Sequence, residues 1–170
     1  MKKIGVLVAL LFATTLGFSQ KIALVDMEYI LKNVPSYESA NEQLNQVSKK
    51  WQKEIDTMKE EIETMYKNYE TQSVFLSDDM KKKAEDDIVE KEKTLNTLKR
   101  KYFGPDGEFY KKRESLMKPI QDEIYNAVKS VAEEKQYQMV LDRASGANII
   151  FASPKIDVSD DVLTKMGYAK

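Results

Sequence analysis

Apolar residues recur along the first half of the chain at Tyr37, Ala40, Leu44, Val47, Trp51, Ile55, Met58, Ile62, Met65 and Tyr69. The steps alternate between three and four residues, with one residue of extra drift between Trp51 and Ile55. That alternation is the seam of a helix facing one neighbour, and the extra residue is a stutter that locally unwinds such a pairing. The pattern resumes at Met80, Ala84, Ile88, Lys91, Leu95, Leu98 and Tyr102, and again at Leu116, Ile120, Ile124, Ala127 and Val131. Nearly everything between these positions is Lys, Glu, Asp, Gln or Asn, so the stripe is narrow and the remaining surface is solvated. The spacing predicts a long antiparallel coiled-coil hairpin over residues 36–135, its first helix capped by Ser36 and running to Gln72. Its returning arm ends near Glu134.

Two interruptions divide this hairpin. Residues 73–79 (SVFLSDD) supply the tip. Ser77 is a suitable N-cap there, and Asp78 and Asp79 sit where the helix dipole favours negative charge. Val74, Phe75 and Leu76 are expected to staple the two arms together at the bend; the alternative is an exposed, adhesive tip. The second interruption is Phe103-Gly104-Pro105-Asp106-Gly107, because proline and glycine are costly inside a helix. Tyr102, Phe103, Phe109 and Tyr110 crowd it, either packing the break or forming a hinge with an aromatic patch. Pro119 is a second candidate kink.

The ends of the chain follow a different period. Residues 21–26 (KIALVD) alternate as a short strand, and Met27–Lys32 reads as a short helix that Pro35 terminates. Residues 137–142 (YQMVLD) and 148–152 (NIIFA) read as two further strands joined by a turn at residues 143–147. Ser159 is expected to cap a last helix over residues 160–166. The strands are apolar on both faces, so one chain cannot bury them and subunits must share them. The fold class is therefore mainly α with a small β part. The organisation is a β-rich oligomerisation body (residues 20–35 and 136–170) carrying the hairpin (36–135).

Composition adds an address and removes several chemistries. Lys2 and Lys3 precede an apolar run, Ile4 to Phe18, that is shorter than the roughly 20 residues a membrane span needs. Residues 1–19 read as a secretory signal peptide cleaved near Ser19. The formal charge is −1, and losing Lys2 and Lys3 takes it to −3, which carries no global signature for nucleic acid. There is no cysteine for a disulfide framework and no histidine, the commonest general base. No phosphate loop or dinucleotide fingerprint is present. An enzyme is not expected, nor any metal or cofactor.

The segments KIALVD (21–26), NAVKSVAEEKQYQMVLD (126–142) and DVSDDVL (157–163), in this order around a long helical hairpin, resemble the Skp/OmpH family of periplasmic chaperones. The resemblance implies a homotrimer whose strands build a shared β-barrel, with three hairpins projecting as tentacles around a cavity. It also implies a periplasmic holdase that keeps unfolded outer-membrane proteins from aggregating without ATP. Lipopolysaccharide or a membrane surface stays open as a further partner. The slightly acidic charge and the Phe103–Gly107 interruption both depart from the family pattern.

Candidate client contacts are the methionines and aromatics of the arms: Met58, Met65, Tyr66, Tyr69, Phe75, Met80, Tyr102, Phe103, Phe109 and Tyr110. Candidate residues of the oligomer body are Ile22, Leu24, Val140, Leu141, Ile149 and Phe151. The competing reading is a coiled-coil spacer or adaptor of the cell envelope without holdase activity. It would need a continuous, tightly packed seam, which the stutter, Lys91 and the Gly-Pro break all oppose. The basic clusters at residues 99–101 and 111–113 alternate with acids and read as a solvated face.

Overall fold

The computed structural model describes residues 21–146 and 149–168. The predicted signal peptide, residues 1–19, and Ala147 and Asn148 of the predicted turn and last strand lie outside the described residues. The elements in chain order are β1 (Ile22–Val25), α1 (Met27–Lys32), α2 (Pro35–Gln72), a short turn of 3-10 helix (Ser73–Phe75), α3 (Asp78–Phe103) and α4 (Glu108–Lys135). Then come β2 (Met139–Asp142), a second 3-10 turn (Pro154–Ile156) and α5 (Ser159–Lys165). The fold is mainly α with one minor pair of strands. It divides into two compact units, one of residues up to Asn33 with those from Glu123 onward, the other Val34–Asp122.

In the terminal unit β1 and β2 pair in parallel, with Ile22 opposite Met139, Ala23 opposite Val140, Leu24 opposite Leu141 and Val25 opposite Asp142. Parallel neighbours need a long crossover, and here the whole of α1 to α4 supplies it. Side chains alternate across the strands, so Ala23 and Val25 share a face and are buried. The remaining core is Ile30 of α1, Ile124, Ala127 and Val131 of α4, and Val158, Val162 and Leu163 at α5. The three α4 residues fall at steps of three and four, one face of the helix.

Polar side chains close this unit. Asp26 caps α1 by accepting from the Tyr29 N–H at 2.9 Å. The Arg143 guanidinium reaches Asp26 Oδ2 at 3.0 Å and Asp157 Oδ2 at 3.1 Å. Ser159 Oγ accepts from the Asp26 N–H at 2.8 Å and donates to Asp157 Oδ1 at 2.6 Å. Asp142 Oδ1 accepts from the Met27 and Ala144 N–H groups. Lys135 and Asp161 pair at 2.5 Å, Lys165 pairs with Glu134, and the Tyr29 hydroxyl donates to Asp160 at 2.8 Å.

Three expectations are corrected here. Ile149–Ala152 is not a strand. The free side of β1 is bridged at Leu24 by Asp157, with the Val158 N–H donating to Leu24 O, so this apolar segment finds no edge there in its own chain. Ser159 is the first residue of α5 and not its cap, because Asp157 Oδ1 accepts the Ser159 N–H and draws the hydroxyl inward. Similarly, α2 begins at Pro35 and not after a Ser36 cap, since the ring of proline presets the backbone for the first helical position.

In the Val34–Asp122 unit, α2 is 38 residues long, about 57 Å at 1.5 Å per residue. It runs antiparallel to α3, as the cross-helix pairs Glu54 with Tyr102, Glu61 with Lys91, and Tyr69 with Glu85 require. Ile55, Ile62, Leu95 and Tyr102 form the buried cluster, with Trp51, Met58 and Leu98 packed against it. Both members of the stutter, Trp51 and Ile55, therefore face the partner helix. Lys91, the charged residue in the seam, places Nζ 2.7 Å from Glu61 Oε2 and leaves its head at the surface.

Ser77 caps α3 as expected, accepting from the Met80 N–H. The staple is corrected: Leu76 is half-buried, but Val74 and Phe75 are 78% and 85% exposed. A 3-10 turn brings round three residues per revolution, so three consecutive apolar side chains cannot share one face. At the break, Gly104 ends α3 with its N–H on Arg100 O, and the Gly107 N–H returns to Gly104 O. α4 then runs through Pro119 without interruption.

Both glycines are sterically required. A Cβ at Gly104 would lie 2.4 Å from Arg100 O, and one at Gly107 2.7 Å from Tyr102 O. Gly107→Ala is expected to cost about 1–3 kcal/mol through this backbone clash, read as a lowered urea midpoint with an unchanged slope. A second outcome follows from Asp26, whose carboxyl is held below its ordinary pKa by the Tyr29 N–H and then by Arg143, against some burial. A lowered folded pKa contributes stability that is full above the unfolded value, about 3.9, and is lost as pH falls below it and through the folded value. The urea midpoint of Asp26→Asn should therefore lie below that of the native chain at pH 7, and the gap should close towards pH 3.

Candidate interaction surfaces

A charge-coated helix pair with one narrow seam leaves little room to hide every large apolar side chain, and the candidate contacts divide accordingly. Tyr102 is buried at 8% exposure, stacked on Trp51 with ring centroids 4.8 Å apart. Its hydroxyl donates to Glu54 Oε2 at 2.8 Å. Met58 packs on the same cluster. Met65 and Tyr69 are half-buried, lining an inter-helix space with Leu76, Ala84 and Ile88. Phe109 is half-buried with its ring 5.9 Å from that of Phe103. These five are engaged in packing.

The other five are open to contact. Phe75 and Met80 at the bend are 85% and 56% exposed, Tyr66 is 43% exposed, Phe103 is 40% exposed and Tyr110 is 53% exposed. Phe103 also presents its edge to Trp51 at 6.2 Å, so the aromatic crowd at the break packs against α2 while keeping one flank in water. Val74 on the bend, part of the adhesive-tip alternative, and Val89 on the outer face of α3 are exposed as well, and of the two the sequence reading missed Val89. The signal for Val89 was its place beside Ile88, one residue off the stripe.

Tyrosine hydroxyls span the helix pair. Tyr66 donates to Glu92 at 3.0 Å, Tyr69 to Glu85 and Tyr102 to Glu54. Each of these hydrogen bonds, helped by partial burial and by the carboxylate's charge, raises the tyrosine pKa above its ordinary value. All three rings thus stay neutral, amphipathic bodies with a polar tip, suited to surfaces that alternate between water and apolar contact.

In the terminal unit the outward face of the strands is apolar. Leu24 is buried at 4%, yet its face-mates Ile22, Met139 and Leu141 are 40%, 53% and 39% exposed. Val140, on the opposite face, and Ile149 are half-buried, whereas Ile150 and Phe151 are 101% and 84% exposed. Met139 and Ile150 join the candidates, having been read as strand residues without a stated role. Among the described residues no group of three metal-ligating side chains is placed to hold an ion. Among them, too, no helix is long and apolar enough to cross a membrane.

A two-stranded sheet with an exposed apolar face and, in sequence between its strands, long charged helices with a sparse seam define a mainly helical protein that leaves apolar side chains in water. The family described as outer membrane protein (OmpH-like) matches residues 21–166, and the chain belongs to it. It is similar to the chaperone protein Skp of Yersinia enterocolitica, 27% identical over 148 residues that cover 86% of this chain and 85% of that one. An OmpH-like crystal structure from Caulobacter crescentus shares the fold with a TM-score of 0.70 at 11% identity, covering 86% of this chain and 83% of that one.

The division between packing and contact residues has a direct measure. Leu95→Ala, inside the α2–α3 cluster, is expected to cost about 3 kcal/mol. Phe75→Ala at the bend should leave stability within about 0.5 kcal/mol of the native value. Chemical denaturation of both variants checks this.

Proposed function

We propose that this protein is a periplasmic, ATP-independent holdase chaperone for unfolded outer-membrane proteins, exported by a signal peptide cleaved near Ser19. The observation that carries the reading is the set of methionine and aromatic side chains left half-exposed along a charged helix pair. Such side chains offer many weak, adaptable apolar contacts, and the lysine and arginine stems around them add more. Contacts of that kind shield a client from its neighbours yet release singly. Tyr66, Phe75, Met80, Phe103 and Tyr110 act first in this reading. Met58, Met65, Tyr69, Tyr102 and Phe109 follow where the helices part.

The functional unit in this proposal is a homotrimer. Family membership and the exposed apolar face of the strands support it: Ile22, Met139, Leu141, Ile150 and Phe151 need a partner to leave water. Three subunits would share Ile22, Leu24, Val140, Leu141, Ile149 and Phe151 in one β-barrel body. The α2–α3 pair and the first half of α4 would serve as the coiled-coil hairpin of each tentacle, with the client held in a cavity among them. Lipopolysaccharide or a membrane surface remains a secondary partner to be tested on the same sample.

The test dilutes a urea-unfolded outer-membrane barrel protein into buffer with and without the mature chain, and follows aggregation by light scattering. Suppression near one trimer per client, in the absence of ATP, is the expected result, with mass determination on the same sample giving three copies. A stable trimer that leaves the scattering unchanged would sink the holdase in favour of an envelope spacer.

A further inference from the structure

The break between α3 and α4 is where the cations of the Val34–Asp122 unit gather. Trp51 stacks on Tyr102 and meets Phe103 edge-on, which brings the turn of α2 at residues 49–53 beside the end of α3. Phe103 in turn meets Phe109, so the start of α4 joins the same cluster. Residues 49–53 and 99–113 together hold nine lysines and arginines but only two carboxylates, Asp106 and Glu108. This is a local charge of +7 in a chain whose formal charge is −1.

Few of these cations are spent internally. Lys111 pairs with Glu108 at 3.6 Å, and Lys101 sits 5.4 Å over the Tyr102 ring. Among the described residues, no ion pair engages Lys99, Arg100 or Arg113. Flanking Glu54, which accepts from the Tyr102 hydroxyl, and Glu114 lower the excess to +5, while Asp56 is held by Gln52 and Lys59. Between α2 and α3 an open groove of about 500 Å³ is lined by Ile55, Lys59, Lys99, Arg100, Phe103 and Gly104. It has an apolar floor, cationic rims and a half-exposed aromatic ring.

We infer that this groove and its collar of cations are the docking site for acidic segments of unfolded polypeptide that also carry aromatic or aliphatic side chains. The inference rests on the holdase reading and names the client chemistry that one site selects. Charge complementarity argues for an anionic partner, since unpaired cations over low-dielectric walls focus a field that net charge does not report. Phe103 and Ile55 argue for a peptide, because a groove of this size offers an apolar side chain a seat beside its carboxylates. A flat anionic lipid surface would meet the protruding bend, and nucleic acid would engage the cations without needing Ile55.

The test uses the full mature protein and two synthetic peptides of equal length and aromatic content, one acidic and one with the acids replaced by amides. Trp51, the single tryptophan, is the reporter. The acidic peptide should shift its emission, bind about tenfold more tightly than the amide peptide, and lose most of that margin between low and high salt. The triple variant Lys99→Gln, Arg100→Gln, Arg113→Gln should lose about tenfold in affinity. The variant Lys81→Gln, Lys82→Gln, Lys83→Gln, with the same charge change at the bend, should lose less than about twofold. Equal losses in the two variants would overturn the site, reducing the effect to net charge. So would collar-dependent binding of anionic vesicles or single-stranded RNA but not of the peptide. Aggregation suppression of a client without acidic segments separates the two proposals. It should persist in the collar variant, and its absence from the native chain would remove the holdase reading while peptide binding stood.

Discussion

The terminal unit depends on one guanidinium. Arg143 lies just past β2 and bridges two carboxylates, Asp26 at the end of β1 and Asp157 before α5. A parallel strand pair separated by more than a hundred residues has no hairpin to set its register, and so small a core supplies modest burial. The register is instead pinned at its end, where the Arg143 N–H continues the ladder to Val25 O while its side chain grips the residue after Val25. Ser159 adds a second clamp, holding the Asp26 N–H and Asp157 together. Half-exposed ion pairs contribute little singly. Here they share residues with a helix cap and a strand end, Asp26 giving Oδ1 to the cap and Oδ2 to Arg143, so losing one loosens three elements together.

The Val34–Asp122 unit solves a different problem with sparser means. Its seam buries few large side chains over a helix of 38 residues, and it makes up part of the difference with cross-helix polar contacts. Tyrosine donating to glutamate recurs three times, and lysine to glutamate once. These contacts lie at the edges of the seam, where water competes, so they favour alignment of the helices more than they add stability. A pair held in this way has its register set by polar contacts as much as by its few large buried side chains. The closest ring contact, Trp51 on Tyr102 at 4.8 Å, sits beside Gly104, where the returning helix is broken.

The helices were legible because a period of three and four residues survives any tertiary context that buries a single stripe. Even the two irregularities were readable as irregularities. The stutter became the Trp51–Ile55 contact surface, and Lys91 became the cross-helix pair with Glu61. The polar closure was not legible: Arg143 and Asp26 are 117 residues apart and Ser159 and Asp26 are 133, so no local pattern joins them. Ser159 looked like a cap because it has the right chemistry at the right place, but its hydroxyl is taken by Asp157 Oδ1 and the Asp26 N–H and so does not turn to the helix end. Residues 148–152 looked like a strand because Ile and Phe favour that conformation, a preference that means little without an edge to pair with. At the bend, the run Val74-Phe75-Leu76 showed that something apolar was there, but only the 3-10 geometry decided which side chain turned inward.

Both units leave apolar surface in water, and for different reasons. In the terminal unit the exposed residues belong to an element that is geometrically incomplete: two strands have one free face and a detached apolar segment, and burial there calls for matching backbone edges. Only strands of compatible register satisfy that demand, which supports the proposed assembly of copies of this chain. In the other unit the exposed residues Tyr66, Met80, Val89 and Tyr110 lie on helices whose backbone is hydrogen-bonded internally, and Val74 and Phe75 lie in the turn at the bend. Nothing there demands a particular partner geometry, so contacts can form and dissolve with chains of many sequences. Under the proposed function, one surface would serve lasting assembly and the other transient binding. The difference follows from whether the backbone under the apolar side chains is already satisfied.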